Sequence, residues 1–413
     1  MNRSADVVIV GGGVWGLSAA YQLSRMAGVE RIIVLERNAT LATETTKQAA
    51  GQIGQLRSDP LMIEAVGYTL SLLNGFQEET GYDPEFVCTG SLHIAQCNER
   101  FSAFKSQIPN AREHGIEVSV ATDEQIAHLA PAINTEELVG AIYVEKDGYV
   151  NTYAWANALA NAAVDRGVEI ELNADVKSIG VANDRIIHVQ TEAETIATER
   201  AIVTCGPWTR DLANAIGFSI PAVPIRLQQT RTLPDPNLPK HHPVVRIPDQ
   251  SCYLRPENGG YLYGFFDPDP WAMMSAKTTT SEIPLDSDLY AESTRRLAPL
   301  FPILKQLEVS EHRRGMVTCT PDANYVIGPL PEVGGLYVAT GCGAMGVAGS
   351  GAVGRWLANY VVDGNAGADL SKLAPNRFGD AWNDSSLLED KCRDVFSKYY
   401  ALKSATYNMA GNR

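Results

Sequence analysis

The chain has 413 residues, with 34 Lys and Arg against 48 Asp and Glu and a net charge of −14 at pH 7. That balance argues against nucleic acid or an anionic membrane as the main partner, because both recruit positive surface. Hydrophobic residues make up 45% and charged residues 20%, as in a globular chain; the length predicts roughly two to three domains, and without a run of about 18 apolar residues no transmembrane helix is expected.

The opening segment, Met1 to Asp6, is polar, and the apolar run after it, Val7 to Leu17, is broken by Gly11, Gly12 and Gly13. A signal peptide needs a basic start and a small-residue cleavage site. The segment reads instead as a buried strand and a loop, and predicts a cytoplasmic protein. The seven cysteines include no C-x-x-C pair and are expected as free thiols. The seven histidines show no metal-ligand spacing, so no metal site is expected.

The strongest motif comes first. Asp6 to Val10 (DVVIV) is a β-branched run suited to a strand buried on both faces. Gly11-Gly12-Gly13-Val14-Trp15-Gly16 follows as G-x-G-x-x-G and opens a helical pattern, Leu17 to Met26, with Leu17, Ala20, Tyr21 and Leu23 on one face. Arg31 to Leu35 is a second strand, ending at Glu36. In such a unit Gly11 permits the tight turn, Gly13 lets the backbone approach a pyrophosphate, and Gly16 lets the helix pack on the strand. The helix N-terminus faces the phosphates and Glu36 accepts from a ribose diol. The unit serves NAD or FAD. Its place at the extreme N-terminus, as V-x-G-G-G-x-x-G with no second fingerprint of that quality, is similar to that of FAD-dependent oxidoreductases; FAD is the expected cofactor and NAD the alternative.

Later segments alternate in character. A helix is expected over Asn157 to Arg166 and strands over Val168 to Asn173 and Arg200 to Thr204, the last running into Cys205-Gly206-Pro207-Trp208. Ser251 to Leu254 and Gly260 to Phe265 read as strands within a proline-rich section. Gly335 to Gly341 reads as a strand entering a glycine-rich loop that runs to Gly354, followed by a helix over Val353 to Val362. Small residues there, Gly341, Gly343, Ala344 and Gly346 among them, suit close approach to a flavin ring, and a helix N-terminus would stabilise negative charge on it. The tail reads as a helix, Ser386 to Leu402, without legible chemistry. The predicted fold is α/β, a Rossmann-like FAD-binding domain (1–59, 146–215 and 306–365) interleaved with an α+β substrate domain built on a mostly antiparallel sheet (60–145 and 216–305), and a helical extension (366–413).

Six segments together carry a resemblance: VVIVGGGVWGLSAAYQL (7–23), QAAGQIGQLRS (48–58), IVTCGPW (202–208), CYLRPENGGYLYG (252–264), TPDANYVIGP (320–329) and GLYVATGCGAMGVAGSGAVG (335–354). The chain resembles the D-amino-acid-oxidase superfamily, and most its sarcosine oxidase and dimethylglycine dehydrogenase branch. The resemblance implies FAD and oxidation of an amine or amino acid, favouring a secondary or N-alkylated amino acid, by hydride transfer to flavin N5 and hydrolysis of the imine. The expected FAD contacts are Gly11, Gly13, Val14, Trp15, Gly16, Glu36, Arg37, Thr45, Thr46, Gln48, Ala50, Gly51, Val176, Gly206, Trp208, Gly341, Gly343, Ala344, Met345 and Gly346. Alternatives are a primary-amine, D-amino-acid or glycine oxidase with a relocated carboxylate clamp, or a flavoprotein subunit of a multi-subunit amine dehydrogenase; partner subunits or a homo-oligomer stay open.

The chain departs from the family pattern at four positions. Gly315 stands where monomeric sarcosine oxidase carries a flavin-linking Cys, and Gln48 where dimethylglycine dehydrogenases carry a flavin-linking His, so noncovalent FAD is expected, with Cys319 or Cys342 as alternative links. Val317 replaces the carboxylate-clamping Arg of D-amino-acid and glycine oxidases, and Ala348 replaces a substrate-binding Lys. A buried carboxylate calls for a guanidinium. Arg57 and Arg255 are the candidates for that role, with Tyr253, Tyr261 and Met345 as further substrate contacts; Tyr261 and Tyr263 share a strand face that suits an amine cage or plain core. His312 is read as structural.

Overall fold

The computed structural model describes residues 3–239, 241–273 and 279–402. Val7–Val10 and Ile32–Leu35 are buried at every position. Runs of branched apolar residues with no polar alternation can only be accommodated in a sheet covered on both faces. They lie at the middle of a six-stranded sheet in the order Glu169–Glu171, Ile32–Leu35, Val7–Val10, Ala201–Val203, Leu336–Thr340, Val326–Pro329. The first five run parallel and the last is antiparallel.

The first helix is Val14–Leu23, starting three residues before the expected Leu17 because Gly13 itself is the N-cap. All ten of its residues are buried. The expected one-sided face becomes an all-round core position because helices Thr152–Val164 and Ser350–Asp363 both pack on it. Trp155 Nε1 donates to Ser350 Oγ at 3.0 Å and ties those two helices together.

The second sheet has eight strands in the order Val309–Cys319, Val223–Thr232, Gly260–Phe265, Cys252–Glu257, Val244–Ile247, Ser91–Ala95, Gly140–Val144, Val118–Ala121. Its neighbours are antiparallel except Val244–Ile247 beside Ser91–Ala95, which run parallel. Two boundaries of the expected domains shift accordingly. Val309–Cys319, expected with the FAD-binding segment 306–365, pairs into this sheet, and helix Pro60–Thr80, expected in the substrate domain, buries Leu70, Leu73 and Phe76 in the core of the first domain. Phe76 packs there against Tyr21 and Trp155.

The tail helix is Ser385–Ser397, capped by Asp384, and ends earlier than the expected Leu402. Leu388, Cys392 and Phe396, one helical turn apart, bury against Val223, Val317, Cys319 and Phe266 of the second sheet. Of the expected extension 366–413, residues 403–413 lie outside the described residues. Among the described residues no helix is long and apolar enough to cross a membrane.

A Cβ on Gly16 would stand 2.1 Å from the Gly11 carbonyl oxygen and 2.6 Å from Thr204 Oγ1. Gly16→Ala is therefore expected to destabilise the protein by about 1–3 kcal/mol, the usual range for overpacking. Thermal unfolding checks this, and an unchanged midpoint would mean that helix and turn do not touch.

Candidate functional site

A cleft of about 460 Å³ opens outside the carboxyl ends of the parallel strands, where open α/β sheets bind ligands. Its first wall is Gly11, Gly13, Val14 and Trp15. Gly11 has φ +109°, a backbone conformation that favours glycine. A Cβ on Gly13 would meet nothing nearer than Thr46 Oγ1 at 3.5 Å, so the space it leaves belongs to the cleft. The three glycines thus divide into turn, ligand approach and helix packing, and Gly16, buried behind the wall, does not line the cleft.

Glu36 closes the far end of this wall. Its carboxylate accepts from the backbone N–H of Gly12 and of Asn38, both at 2.8 Å. Burial pushes its pKa up, and those two bonds work against the shift. Each carboxylate oxygen keeps acceptor capacity for a diol. Arg37 lies 3.8 Å over the Trp208 ring, and both border the cleft, as do Thr45, Thr46, Val176 and Gly206.

The residues present fit an FAD. Thr45 Oγ1, Gln52 Nε2, Trp208 Nε1 and Thr318 Oγ1 are buried cleft groups with no partner among the described residues. Such atoms are rare unless a ligand or water completes them. The glycine-rich loop is held against the fingerprint helix: Trp15 Nε1 donates to Gly346 O at 2.6 Å, and the Tyr325 hydroxyl donates to Met345 O at 2.8 Å. Gly341, Ala344, Met345 and Gly346 line the cleft, whereas Gly343 does not; its N–H donates to Thr318 O at 2.9 Å.

Gln48, Ala50 and Gly51 form the opposite wall. The two positions at which relatives carry a covalent flavin link abut here: a Cβ on Gly315 would stand 2.8 Å from Gln48 Cβ. Of the alternative thiols, Cys319 does not line the cleft, and Cys342 does, with burial raising its pKa.

The other end of the cleft is cationic. Arg57 and Arg246 both border it, and the Nε of each has no partner. Among the described residues neither guanidinium is within ion-pair distance of a carboxylate. Asp147 is the nearby acid; it accepts from Ser91 Oγ at 2.5 Å and from Gln55 N at 2.9 Å, while burial raises its pKa. His93 is held well below its ordinary pKa, first by burial and then by Arg246 and Arg57, and is neutral. With Asp147 ionised the group retains one positive charge; with it protonated, two. A buried surplus of that sign calls for an anion.

Two expected substrate residues are elsewhere. Arg255 does not line the cleft. It donates to Ala50 O at 2.5 Å and Pro256 O at 2.6 Å, pairs with Glu257 at 2.5 Å and lies over the Tyr149 ring. Its charge is satisfied, and it supports the wall from behind. Tyr261 is also absent from the cleft. Strand register explains this: Tyr253 pairs with Gly264, but Tyr261 pairs with Pro256 and Tyr263 with Leu254. Tyr261 and Tyr263 therefore occupy the opposite sheet face, in a core with Leu297 and Phe301. Tyr253 does border the cleft, as does Gln229, and the Tyr253 hydroxyl and Gln229 Oε1 are both buried without a partner among the described residues. His312 stacks on Tyr290 at 4.0 Å, a structural place.

Sequence reasoning missed Arg246, Gln229, Phe266, Tyr399 and Tyr400, all of which line the cleft. Alternation along Val244–Ile247 marks no polar face, since all four residues are buried, so Arg246 carried a signal only as a charge inside an apolar strand.

A family model described as DAO, FAD dependent oxidoreductase, matches residues 6–360. The mitochondrial dimethylglycine dehydrogenase of Rattus norvegicus is 29% identical over 405 residues, covering 95% of this chain and 47% of its own length. The 4-methylaminobutanoate oxidase (formaldehyde-forming) of Paenarthrobacter nicotinovorans is 28% identical over 414 residues, covering 98% of this chain and 49% of its own. The chain spans about half the length of the curated relatives it matches. In fold it is similar to L-proline dehydrogenase from P. horikoshii, with a TM-score of 0.84 at 22% identity, covering 92% of this chain and 98% of that one.

Arg246→Ala is expected to weaken binding of a simple carboxylate on the order of a hundredfold, the cost of removing one partner of a buried charge contact. Acetate titration of the flavin absorbance measures it; equal affinity with and without Arg246 would remove that residue from the site.

Proposed function

The chain belongs to the DAO family of FAD-dependent oxidoreductases, and on that premise we propose that it oxidises a secondary or N-alkylated amino acid at the carbon beside nitrogen. The observation that carries this reading is the paired guanidiniums of Arg57 and Arg246, with at most one carboxylate to offset them, at one end of the cleft. Both relatives named above act, by their names, on N-methylated amino acids, which carry one carboxylate and one alkylated nitrogen.

FAD, when bound, supplies the two-electron acceptor. The protein's share is binding and orientation. Arg57 and Arg246 hold the carboxylate, a fork geometry suited to it. That anchor fixes where the α-carbon and nitrogen lie relative to the wall formed by Met345 and Gly346. Positioning of this kind accounts for a large part of such a rate enhancement. No carboxylate base is required in the cleft: a dry pocket with surplus positive charge disfavours an ammonium and favours the neutral amine. Val317, where related oxidases carry their Arg, is consistent with a clamp moved to the strand Val244–Ile247.

The abutting Gly315 and Gln48 support noncovalent FAD, since neither position offers a nucleophile. Cys342 remains a protonated thiol under burial, a poor nucleophile. Acid precipitation is expected to release all the flavin into the supernatant; colour retained in the pellet would refute noncovalent attachment.

Anaerobic mixing with a panel of amines is expected to bleach the flavin with N-methylglycine and N,N-dimethylglycine, and at least tenfold more slowly with the decarboxylated amines that lack the anchor. Equal rates for acids and decarboxylated amines would sink the carboxylate reading.

A further inference from the structure

The tail helix does not end the site; it delivers part of it. After Ser397 the chain makes two successive turns, with Tyr399 N bonded to Phe396 O at 3.1 Å and Ala401 N to Lys398 O at 2.9 Å. These turns bring Tyr399 and Tyr400 to the cationic end of the cleft. Tyr399 stacks on Phe266 with centroids 4.2 Å apart and planes 3° from parallel. Tyr400 meets Phe266 edge-on at 5.3 Å and Tyr399 at 4.9 Å. Arg100 fixes the segment from the other side, donating to Tyr400 O at 2.8 Å while its Nε pairs with Asp249 at 2.9 Å.

Both tyrosines are half-buried, with one side in the protein and the other on the cleft. The Tyr399 hydroxyl stands beside the Arg246 guanidinium at this end of the cleft, on the accepting side of its N–H groups. The hydroxyl therefore acts on the clamp, and the Tyr400 ring closes the space next to it. Leu388, Cys392 and Phe396 anchor the helix that precedes the two tyrosines, and both tyrosines pack against the same cluster.

We infer that the segment after the C-terminal helix completes the substrate pocket: Tyr399 is a positioning residue that orients the Arg246 guanidinium, and Tyr400 limits the size of the substituent on the substrate nitrogen. The second half rests on the amine-oxidation reading; the first needs only an anion at Arg246. Aromatic faces next to an alkylated nitrogen also add attraction to any cationic fraction of it.

The test uses the flavin-loaded full chain with two variants. Tyr399→Phe keeps the stacked ring and removes only the hydroxyl, so flavin content and unfolding temperature serve as controls that should not move. The dissociation constant of acetate, read from the flavin spectrum, is expected to rise about tenfold in Tyr399→Phe, the effect of losing one hydrogen bond to a charged group. The limiting rate of flavin reduction by N-methylglycine should change less than the substrate concentration that half-saturates it. Tyr400→Ala is expected to raise the reduction rate with N-benzylglycine relative to N-methylglycine by about tenfold or more.

Unchanged acetate affinity in Tyr399→Phe, or an unchanged rate ratio in Tyr400→Ala, overturns the corresponding half. If the unaltered protein reduces with no amine but its acetate affinity still falls in Tyr399→Phe, the amine reading fails and the clamp assignment stands. If acetate perturbs neither protein, the clamp assignment is wrong, and the pocket wall stands or falls with the Tyr400→Ala rate ratio alone.

Discussion

The contact on which the site depends is the close approach of a helix to the strand before it. Gly16 sits where any side chain would collide with the Gly11 carbonyl. That approach sets the helix Val14–Leu23 directly against the turn, and the helices packed on its other sides leave each of its residues buried. It also fixes the direction of the helix N-terminus, and with it the positive end of the peptide dipoles. The later helices Thr152–Val164 and Ser350–Asp363 are then stacked on the first, so the glycine-rich loop that precedes the last one is set against Trp15 by a single indole hydrogen bond. One missing methyl group thus propagates into the shape of the whole cofactor end.

The second organising theme is how the protein treats buried arginines. Arg255 and Arg246 occupy neighbouring antiparallel strands, and both are buried. Arg255 has Glu257 and two backbone carbonyls, so its charge is spent within the fold. Arg246 has a tyrosine and a nearby acid, Asp147, that makes no ion pair with it, and its Nε has no partner. The same residue type in the same sheet therefore gives a scaffold element in one case and a binding element in the other. The difference is local charge balance, because an isolated buried ion is costly and an anionic ligand relieves that cost.

This also explains what was legible beforehand. The strand, the three glycines, the helix and Glu36 are contiguous, and each residue type has one physical reason to stand at its spacing, so the cofactor wall could be read in order. Arg255 and Arg57 could not be ranked, because a guanidinium looks alike in sequence whether or not Glu257 lies beside it. Tyr261 and Tyr253 could not be separated, because cross-strand register decides which face each takes, and a shift of one residue exchanges them. Arg246 sits in an apolar run that reads as core. Tyr399 and Tyr400 are some 150 residues from Arg246 in sequence, and only the packing of the tail helix on the sheet brings them together.

The lone parallel junction of the large sheet has a bearing on how the protein acquires its activity. Val244–Ile247 joins Ser91–Ala95 across about 150 intervening residues, and the entire Rossmann-like strand Ala201–Val203 is made between them. Contacts of such sequence separation form slowly, since a long loop must close before they give anything in return. Arg246 rides on that junction, next to His93 on the partner strand. The anion receptor is therefore assembled only once that long loop has closed, and its appearance marks the point at which Val244–Ile247 has found Ser91–Ala95.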